Sequence, residues 1–185
     1  MPSSLQLSPG FISVLTLLNA NQVEYLVVGG FAVQYFGYQR PTTDLDIWIA
    51  SHPHNAAKAF RVCQLLGGSV TDLPVEAFRH PNRIIRIELP PAIITVLDPI
   101  IGQSPTVLHR STSGQGVQTE ILTVQSGLDF ETAFARRVTD MFDGVEIQVI
   151  SLQDLLTIKQ AGGRSKDLDD VVHLQRIAQA GTSGP

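Results

Sequence analysis

The sequence predicts an α+β protein in which a mixed α/β-type sheet is flanked by helices. Short β-branched apolar runs alternate with longer runs of helical spacing, which is typical of a sheet covered by helices. The chain has 185 residues, of which 43% are hydrophobic and 16% charged. This composition predicts a globular protein with a real core and argues against disorder. We expect a core over 1–150, a helical segment over 151–180 packed on it, and a disordered tail over 181–185.

The first half of the chain has the clearest pattern. Ser8 is expected to cap the first helix, and Gly67-Gly68 to end the last helix of this half. The elements expected there are, in order, a helix from Pro9 to about Asn19, a strand over 23–28, a short helix over 31–38, a strand over 44–50 and a helix over 53–66.

The second half is less regular. Residues 98–116 are rich in Gly, Ser, Thr and Pro, so we expect a loop or an insertion there. Asp143-Gly144 is a turn signal before the last strand, and Ser151 is expected to cap the helix that follows. The remaining elements expected are a loop over 72–82, strands over 83–89, 92–97, 117–124 and 144–151, and helices over 129–138, 152–162 and 166–178.

Charge and cysteine content exclude several functions. The formal net charge of −4 gives no long-range attraction to nucleic acid, although Arg136, Arg137, Arg164 and Lys166 leave a local basic groove open. The single cysteine, Cys63, excludes an intrachain disulfide and a cysteine-based zinc site, and it is expected to be a buried thiol. No run is apolar enough to span a bilayer, and the start lacks the basic region of a secretory signal, so we expect a cytoplasmic protein with no membrane contact.

Asp44 and Asp46 are the strongest candidate ligands for a metal. Residues two apart on a strand share a face, so both carboxylates should point the same way while Leu45 points to the core. Two adjacent carboxylates repel each other unless a cation or a base lies close by. Magnesium fits this donor set, because it is a hard ion that prefers carboxylate oxygen and retains sites for phosphate. A solvated strand end is the simpler alternative for an isolated pair of this kind.

Four residues upstream of the aspartates are candidates for holding phosphate. Gly29-Gly30 lies where a strand meets a helix, and the absence of side chains would let phosphate oxygens approach the backbone N–H groups. Arg40 and Thr42 could add a guanidinium and a hydroxyl for the same phosphates. A tight turn at the glycines and a surface ion pair at Arg40 are the alternatives. The ordered combination of strand, turn, helix, loop and strand favours a nucleotide site over these.

The stretch GGFAVQYFGYQRPTTDLDIWI resembles the signature of nucleotidyltransferases of the DNA polymerase β-like superfamily. Its form is similar to that of minimal bacterial nucleotidyltransferases, including those of toxin–antitoxin and abortive-infection systems. GLDFETAFARRV and VISLQDLLTIKQAGGRSKDLDDVVHL resemble the C-terminal part of the same proteins. The resemblance covers most of the chain except about 70–116.

The resemblance implies a fold, a reaction and a set of ligands. The fold is a small nucleotidyltransferase sheet with flanking helices and a C-terminal helical pair. The reaction transfers a nucleoside monophosphate from an NTP, such as ATP, to a hydroxyl with loss of pyrophosphate, assisted by two Mg²⁺ ions. Asp44 and Asp46 would bind metal, while Gly29 and Gly30 would hold the β/γ-phosphates. The C-terminal residues implied in nucleotide or acceptor binding are Lys159, Arg164, Lys166 and Asp167. Asp167 would orient the cations. The alternative for all four is a solvated start of the last helix.

The resemblance also implies a third carboxylate on a neighbouring strand, which binds metal and can act as general base. TEILTVQSGLDFETAF fits that frame and makes Glu120 the candidate, although aspartate is usual at this position and residues 92–117 intervene. A second alignment takes PPAIITVLDPIIG as the corresponding strand. Thr95 would then occupy the position, with Asp98 or Glu88 as the substitute carboxylate. We favour Glu120, because the G-L-D-F-E-x-A-F that follows matches too.

Two functions follow from the sequence. The first is an active magnesium-dependent nucleotidyltransferase whose acceptor is an RNA 3′ end such as that of tRNA, a partner protein such as a toxin or antitoxin, or a small molecule. The second is a non-catalytic module that keeps the fold and binds nucleotide or a partner protein. The irregular region around the third carboxylate is the reason for the second.

Overall fold

The computed structural model describes residues 7–66, 74–80, 83–89, 93–98, 106–107, 117–123 and 127–182. The expected C-cap at Gly67-Gly68, residues 183–185 of the expected tail and most of the expected 98–116 loop lie outside these ranges. Within the described part of the chain, none of the helices combines the length and the apolar character that crossing a lipid bilayer requires.

The described residues form helices before, between and after the strands along the chain. The helices are α1 (Pro9–Ala20), α2 (Gly29–Tyr35), α3 (Pro53–Leu65), α4 (Phe130–Ala135), α5 (Leu152–Gly162) and α6 (Ser165–Thr182), with a 3-10 turn at Val75–Phe78. The strands are β1 (Tyr25–Val27), β2 (Asp44–Ile49), β3 (Ile84–Leu89), β4 (Ile93–Asp98), β5 (Thr106–Val107), β6 (Val117–Leu122), β7 (Val138–Phe142) and β8 (Val145–Val149).

One mixed sheet joins all the described strands in the order β5-β4-β3-β6-β2-β1-β8-β7. The pairs β2–β6 and β1–β8 are parallel, and the other pairs are antiparallel. Each parallel pair requires a crossover, which the intervening helices and strands supply. The fold is therefore α+β with a mixed sheet, flanking helices and a C-terminal helical pair, as the sequence predicts.

Three side-chain caps begin helices where the sequence predicts them. Ser8 accepts a hydrogen bond from the N–H of Phe11 at 3.2 Å, and Ser151 accepts one from the N–H of Asp154 at 3.1 Å. The Asp129 carboxylate accepts from the N–H of Thr132 at 3.0 Å at the start of α4. Each cap satisfies an N–H that has no partner within its helix. α5 ends at Gly163 in the left-handed conformation, with φ +64°.

The core lies beneath the central strands. Leu45, Ile47 and Ile49 alternate along β2 and are fully buried, which fixes the opposite face of the strand for the aspartates. Trp48 packs edge-to-face on Phe130 of α4 at 5.2 Å between ring centroids. Cys63 is fully buried in α3, and burial raises the pKa of its thiol to about 12. The expectation of an inert structural cysteine is thus confirmed.

The sequence prediction lacks two of the described strands: β5, which falls in the expected loop over 98–116, and the longer β7. The five residues of β7 alternate between half-buried and exposed positions on an edge of the sheet, so they carry no continuous apolar run. It forms a hairpin with β8 through Asp143 and Gly144, which have φ +48° and +80°. A two-residue turn with both φ values positive is typical of a tight β-hairpin. The Asp-Gly signal could therefore have indicated a strand on each side.

Replacing Gly144 by alanine should destabilise the protein by about 1 kcal/mol, because an L-residue is strained at positive φ. No other atom lies within 4 Å of the position that the new Cβ would take, so the loss would come from the backbone alone. Urea unfolding measures it. Gly144→Asn is the control and should lose less, because asparagine tolerates this conformation. Equal stability of Gly144→Ala and the parent chain would contradict the prediction.

Candidate functional site

The two aspartates of the D-x-D pattern lie at the start of β2, in the centre of the sheet. β2 pairs with β1 on one side and with β6 on the other. Asp44 and Asp46 share one face, while Leu45 between them is fully buried on the opposite face. The strand alternation that the sequence predicts is therefore present. The two carboxylates therefore lie on the same face of β2.

Glu120 lies on the strand next to the aspartates. β6 runs parallel to β2, and its residue Glu120 is in register with Asp46. Paired residues on adjacent strands point to the same face of a sheet, so the structure brings this carboxylate beside the aspartate pair. The negative charge of Glu120 also contributes to the raised pKa of Asp46. The role of Glu120 in catalysis or metal binding stays a prediction.

The second alignment places its residues farther away. Thr95 lies on β4, which is separated from β2 by both β3 and β6. Glu88 lies on β3, one strand beyond Glu120, and Asp98 lies at the end of β4. The strand that neighbours the D-x-D strand is thus the one that carries Glu120, and the pairing favours that alignment.

Gly29 leaves room for the Asp46 carboxylate. A Cβ on Gly29 would lie 1.7 Å from Asp46 Oδ2, and the residue has φ +60°. The N–H of Gly30 donates a hydrogen bond to the same oxygen at 3.3 Å. A Cβ on Gly30 would also lie 2.4 Å from Thr42 Oγ1. The Gly-Gly pair therefore has a structural reason that sequence reasoning missed: it lets α2 approach the β2 carboxylate. Its contact with phosphate stays a prediction.

Burial raises the pKa of Asp46 to about 6, and the charges of Glu120 and Asp44 act in the same direction. The hydrogen bond from Gly30 and the positive charge of Lys159 oppose the rise without cancelling it. A carboxyl group whose pKa is raised in this way has too little positive charge nearby to offset its loss of hydration. Carboxylate oxygens with uncompensated negative charge suit a hard divalent cation such as Mg²⁺. The residues present therefore fit the metal that the resemblance implies.

Arg86 of β3 is a site residue that sequence reasoning missed. Its Nε and Nη2 donate hydrogen bonds to Oε1 of Glu120 at 3.2 and 2.7 Å. The pairing follows from register, because Arg86 lies opposite Glu120 in the antiparallel β3–β6 pair. The signal in the sequence is an arginine that stands between isoleucines in a predicted strand, in which Ile85 is fully buried. A charge on the exposed face of that strand indicates a partner on the next strand.

Arg40 and Thr42 make contacts within the protein. Arg40 donates from Nε to Asp170 Oδ1 at 2.6 Å and from Nη2 to Oδ2 at 2.9 Å. The Arg40 side chain is 9% exposed and that of Asp170 is fully buried. Thr42 lies half-buried against Gly30, and its hydroxyl is 3.4 Å from the carbonyl oxygen of Asp44. The phosphate roles of both residues stay predictions, and the buried ion pair favours a structural role for Arg40.

The C-terminal cations are arranged around two buried aspartates. Lys159 Nζ lies 2.9 Å from an oxygen of Asp167 and 2.9 Å from one of Asp170. Arg164 donates to Asp167 from Nε at 2.6 Å. Burial acts to raise the pKa of Asp167, but the hydrogen bonds from Arg164 and Lys159 outweigh it and hold that pKa below its ordinary value. Asp167 therefore contacts two cations, and its role as an orienting group in a nucleotide site stays a prediction.

This cluster lies close to the carboxylates of β2. The positive charge of Lys159 lowers the pKa of Asp46, and the charge of Asp46 contributes to the raised pKa of Arg164. Lys166 is exposed on the first turn of α6. The structure thus brings the α5–α6 junction to the same side as the D-x-D strand, while nucleotide contacts by these residues stay predictions.

A second group of possible metal ligands lies elsewhere among the described residues. One ligand atom from each of Glu24, His52 and Glu131 lies within 4.8 Å of the others. His52 Nδ1 accepts the N–H of Asn55 at 3.2 Å as the cap of α3, so Nε2 carries the proton that faces Glu24 at 2.7 Å. A metal on Nε2 would need the proton on Nδ1 and would break this cap. The group is therefore explained as a capping interaction.

Comparison with known proteins supports the fold. No protein-family model matches the chain, and no curated protein sequence matches it. A solved structure of an antigenic nucleotidyltransferase-like protein from Paracoccidioides brasiliensis matches over 89% of this chain and 73% of that chain, with 20% identity and a TM-score of 0.50. At this identity the likeness concerns the fold alone. The chain therefore has a nucleotidyltransferase-like fold.

Asp46→Asn should stabilise the metal-free protein at pH 8 by about 2 kcal/mol, because it removes a half-buried charge whose desolvation Lys159 and the N–H of Gly30 do not fully offset. The folded pKa of Asp46 is about 6, above its ordinary 3.8. The folded chain therefore holds a proton that the unfolded chain releases, and stability contributed by this group falls as pH rises from about 4 through 6. Urea unfolding in EDTA at pH 4 and pH 8 measures the difference, which should vanish near pH 4.

Glu131→Gln is the matched control, since it also converts a carboxylate to an amide but at an exposed position on α4. It should change the unfolding free energy by less than about 0.5 kcal/mol at both pH values. Added Mg²⁺ should raise the melting temperature of the parent chain and of the control but not that of Asp46→Asn. A pH-independent difference between Asp46→Asn and the parent would contradict the assigned pKa.

Asp170→Ala should destabilise the protein by about 3 kcal/mol or more, because it leaves two cations in a buried position with one counter-charge fewer. Arg40 and Lys159 are 9% and 8% exposed and both contact Asp170. Asp169→Ala is the control on the same helix, where the carboxylate is exposed and contacts Tyr38 and His173; it should cost less than about 1 kcal/mol. Similar losses for the two variants would contradict the structural importance of the buried pair.

Proposed function

We propose that this protein is a magnesium-dependent nucleotidyltransferase that transfers a nucleoside monophosphate from an NTP to a hydroxyl group. The observation that carries the proposal is the register that sets Asp46 beside Glu120 on adjacent strands, with Asp44 on the same face. The arrangement lies in a sheet whose fold is nucleotidyltransferase-like. Clustered carboxylates and nearby cations are what phosphoryl chemistry requires of a protein.

In this proposal Asp44 and Asp46 hold Mg²⁺. The bound ion would neutralise negative charge on the phosphate oxygens and orient the triphosphate. Gly29 and Gly30, which lie beside Asp46, would hold the β/γ-phosphates through their backbone N–H groups. Lys159, Arg164 and Lys166 contribute positive charge to the triphosphate side, with Asp167 orienting the first two.

The reaction needs a proton acceptor for the attacking hydroxyl. Its oxygen forms a bond to the α-phosphorus while the bond from that phosphorus to the pyrophosphate oxygen breaks, and pyrophosphate leaves. Glu120 receives the hydroxyl proton in this scheme, because it faces the same side as the aspartates.

The acceptor belongs to one of three classes: an RNA 3′ end, a partner protein such as the toxin or antitoxin of a two-component system, or a small alcohol. The charges of the described residues give the RNA class the least support. Arg136 donates hydrogen bonds to both carboxylate oxygens of Asp154, from Nε at 3.1 Å and from Nη2 at 2.5 Å. Arg137 donates to Gln148 at 2.7 Å and lies over the Phe134 ring. Two of the cations that would make a basic groove are thus engaged within the protein.

Labelled NTPs test the proposal directly. The full chain is incubated with Mg²⁺, each of the four α-labelled NTPs, and pools of tRNA, protein or small alcohols. We expect transfer of label with release of pyrophosphate, at least about 10²-fold reduced in Asp44→Ala plus Asp46→Ala because the metal ligands are gone. Glu131→Gln should transfer label at the parent rate. Absence of both label transfer and Mg²⁺-dependent NTP binding would contradict the proposal.

A second candidate function is a non-catalytic module that binds nucleotide or a partner protein. The observation that favours it is the ion pair between Arg86 and Glu120, since two donors of Arg86 already engage Oε1 of this carboxylate. NTP binding that survives Asp44→Ala plus Asp46→Ala, together with no turnover in the parent chain, would support this function over the first.

A further inference from the structure

The contact between Arg86 and Glu120 sets this site apart from a set of carboxylates alone. Both donor nitrogens of Arg86 reach the same oxygen, Oε1 of Glu120, at 3.2 and 2.7 Å. The side chains are 33% and 18% exposed, so the pair is partly withdrawn from water. A charge-assisted contact of this geometry is stronger than an ordinary surface ion pair. Arg86 is therefore built into the site.

The three charged residues form a row across adjacent strands. Asp46 of β2 is in register with Glu120 of β6, and Glu120 is in register with Arg86 of β3. Direct cross-strand partners have their Cβ atoms about 5 Å apart, so each charge influences its neighbour. Arg86 lies on β3, which borders β6 on the side opposite β2. Positive charge is thus present at the Glu120 end of the row, on the strand that is farthest from Asp46 among the three.

The charge balance favours one divalent ion. Asp44, Asp46 and Glu120 carry three negative charges when ionised, and Arg86 returns one positive charge. The nearby cations Lys159 and Arg164 are held by Asp167, and Lys159 also by Asp170. One divalent cation at the aspartates therefore neutralises the remaining two negative charges. A second would lie against a guanidinium and would find one oxygen of Glu120 already engaged.

We infer that Arg86 sets the metal stoichiometry of this site at one divalent cation, bound by Asp44 and Asp46, by occupying the Glu120 side with a permanent positive charge. The inference rests on the proposed function in taking these two aspartates as the metal ligands, and it replaces the pair of ions that the resemblance implies. Arg86 acts through Glu120 and is thus a positioning residue. Its effect is on the number of ions bound, which a purely structural ion pair would not change.

The test is Mn²⁺ binding to the full chain without nucleotide, followed by electron paramagnetic resonance of free Mn²⁺ and by calorimetry. We expect one ion per chain in the parent protein. Arg86→Gln should bind a second ion at least about tenfold more tightly than any second ion in the parent, because the repelling charge is gone. Arg86→Lys keeps the charge and should resemble the parent. Arg61→Gln, which removes an exposed arginine on α3, should leave the stoichiometry at one.

A double variant separates a charge effect from damage to the fold. Arg86→Gln plus Glu120→Gln removes both members of the pair and should return to one ion, with circular dichroism confirming that the chain is folded. If Arg86→Gln alone does not fold, the parent stoichiometry and that of Arg86→Lys still decide the question. Two ions of similar affinity in the parent chain, or a single ion in a folded Arg86→Gln, would overturn the inference.

These outcomes are separable from those of the proposed function. Two ions in the parent chain overturn the role of Arg86 while the aspartates keep theirs as metal ligands. Loss of label transfer with one ion in the parent and two in Arg86→Gln overturns the transferase activity and leaves the inference in place. Failure of every folded chain to bind Mn²⁺ overturns both.

Discussion

The register between β2 and β6 is the constraint on which the site depends. It sets Asp46 opposite Glu120, and Leu45 and Ile47 anchor it because they are fully buried on the other face. A slip of one residue would turn the carboxylates toward the core and the leucine toward solvent, at the cost of both burial and charge. The apolar packing that stabilises the sheet is therefore also what places the charged groups. The alternation of side chains along β2 therefore decides where the carboxylates of the site lie.

The second constraint is a network of ion pairs that joins the loop before β2 to the C-terminal helices α5 and α6. Arg40 lies in the loop before β2, and it reaches Asp170 on α6, which Lys159 of α5 also contacts. Both aspartates of the network are buried, so each cation has a fixed counter-charge in place of water. The helical pair is held against the loop that leads into the D-x-D strand. The positive charge of Lys159 thereby stays near Asp46, while its direct contacts are with Asp167 and Asp170.

The sequence predicted most of the fold and part of the site. Period-two alternation placed Asp44 and Asp46 on one face, and capping residues such as Ser151 marked where helices begin. What it lacked depends on contacts between distant segments. The edge strand β7 has no apolar run, so only its hairpin turn indicated it. Arg86 and Arg40 could not be paired with Glu120 and Asp170 from sequence, because strand order and helix docking decide those partners. The role of Gly29 needed the position of Asp46, which lies 1.7 Å from where a Cβ would be.

The parallel pairing of β2 with β6 also has a consequence for how the chain folds. Its partners Asp44 and Gln118 are 74 positions apart, whereas β1 and β2 pair within a short local segment. Closing a long loop costs conformational entropy before any contact compensates for it, so distant pairing is slow relative to local pairing. Asp44 and Asp46 precede Arg86 and Glu120 in the chain, so the local β1–β2 pair is synthesised first. During synthesis the nascent chain thus carries the negative charges of Asp44 and Asp46 before β6 has been made. The complete site can form only after β6 has emerged.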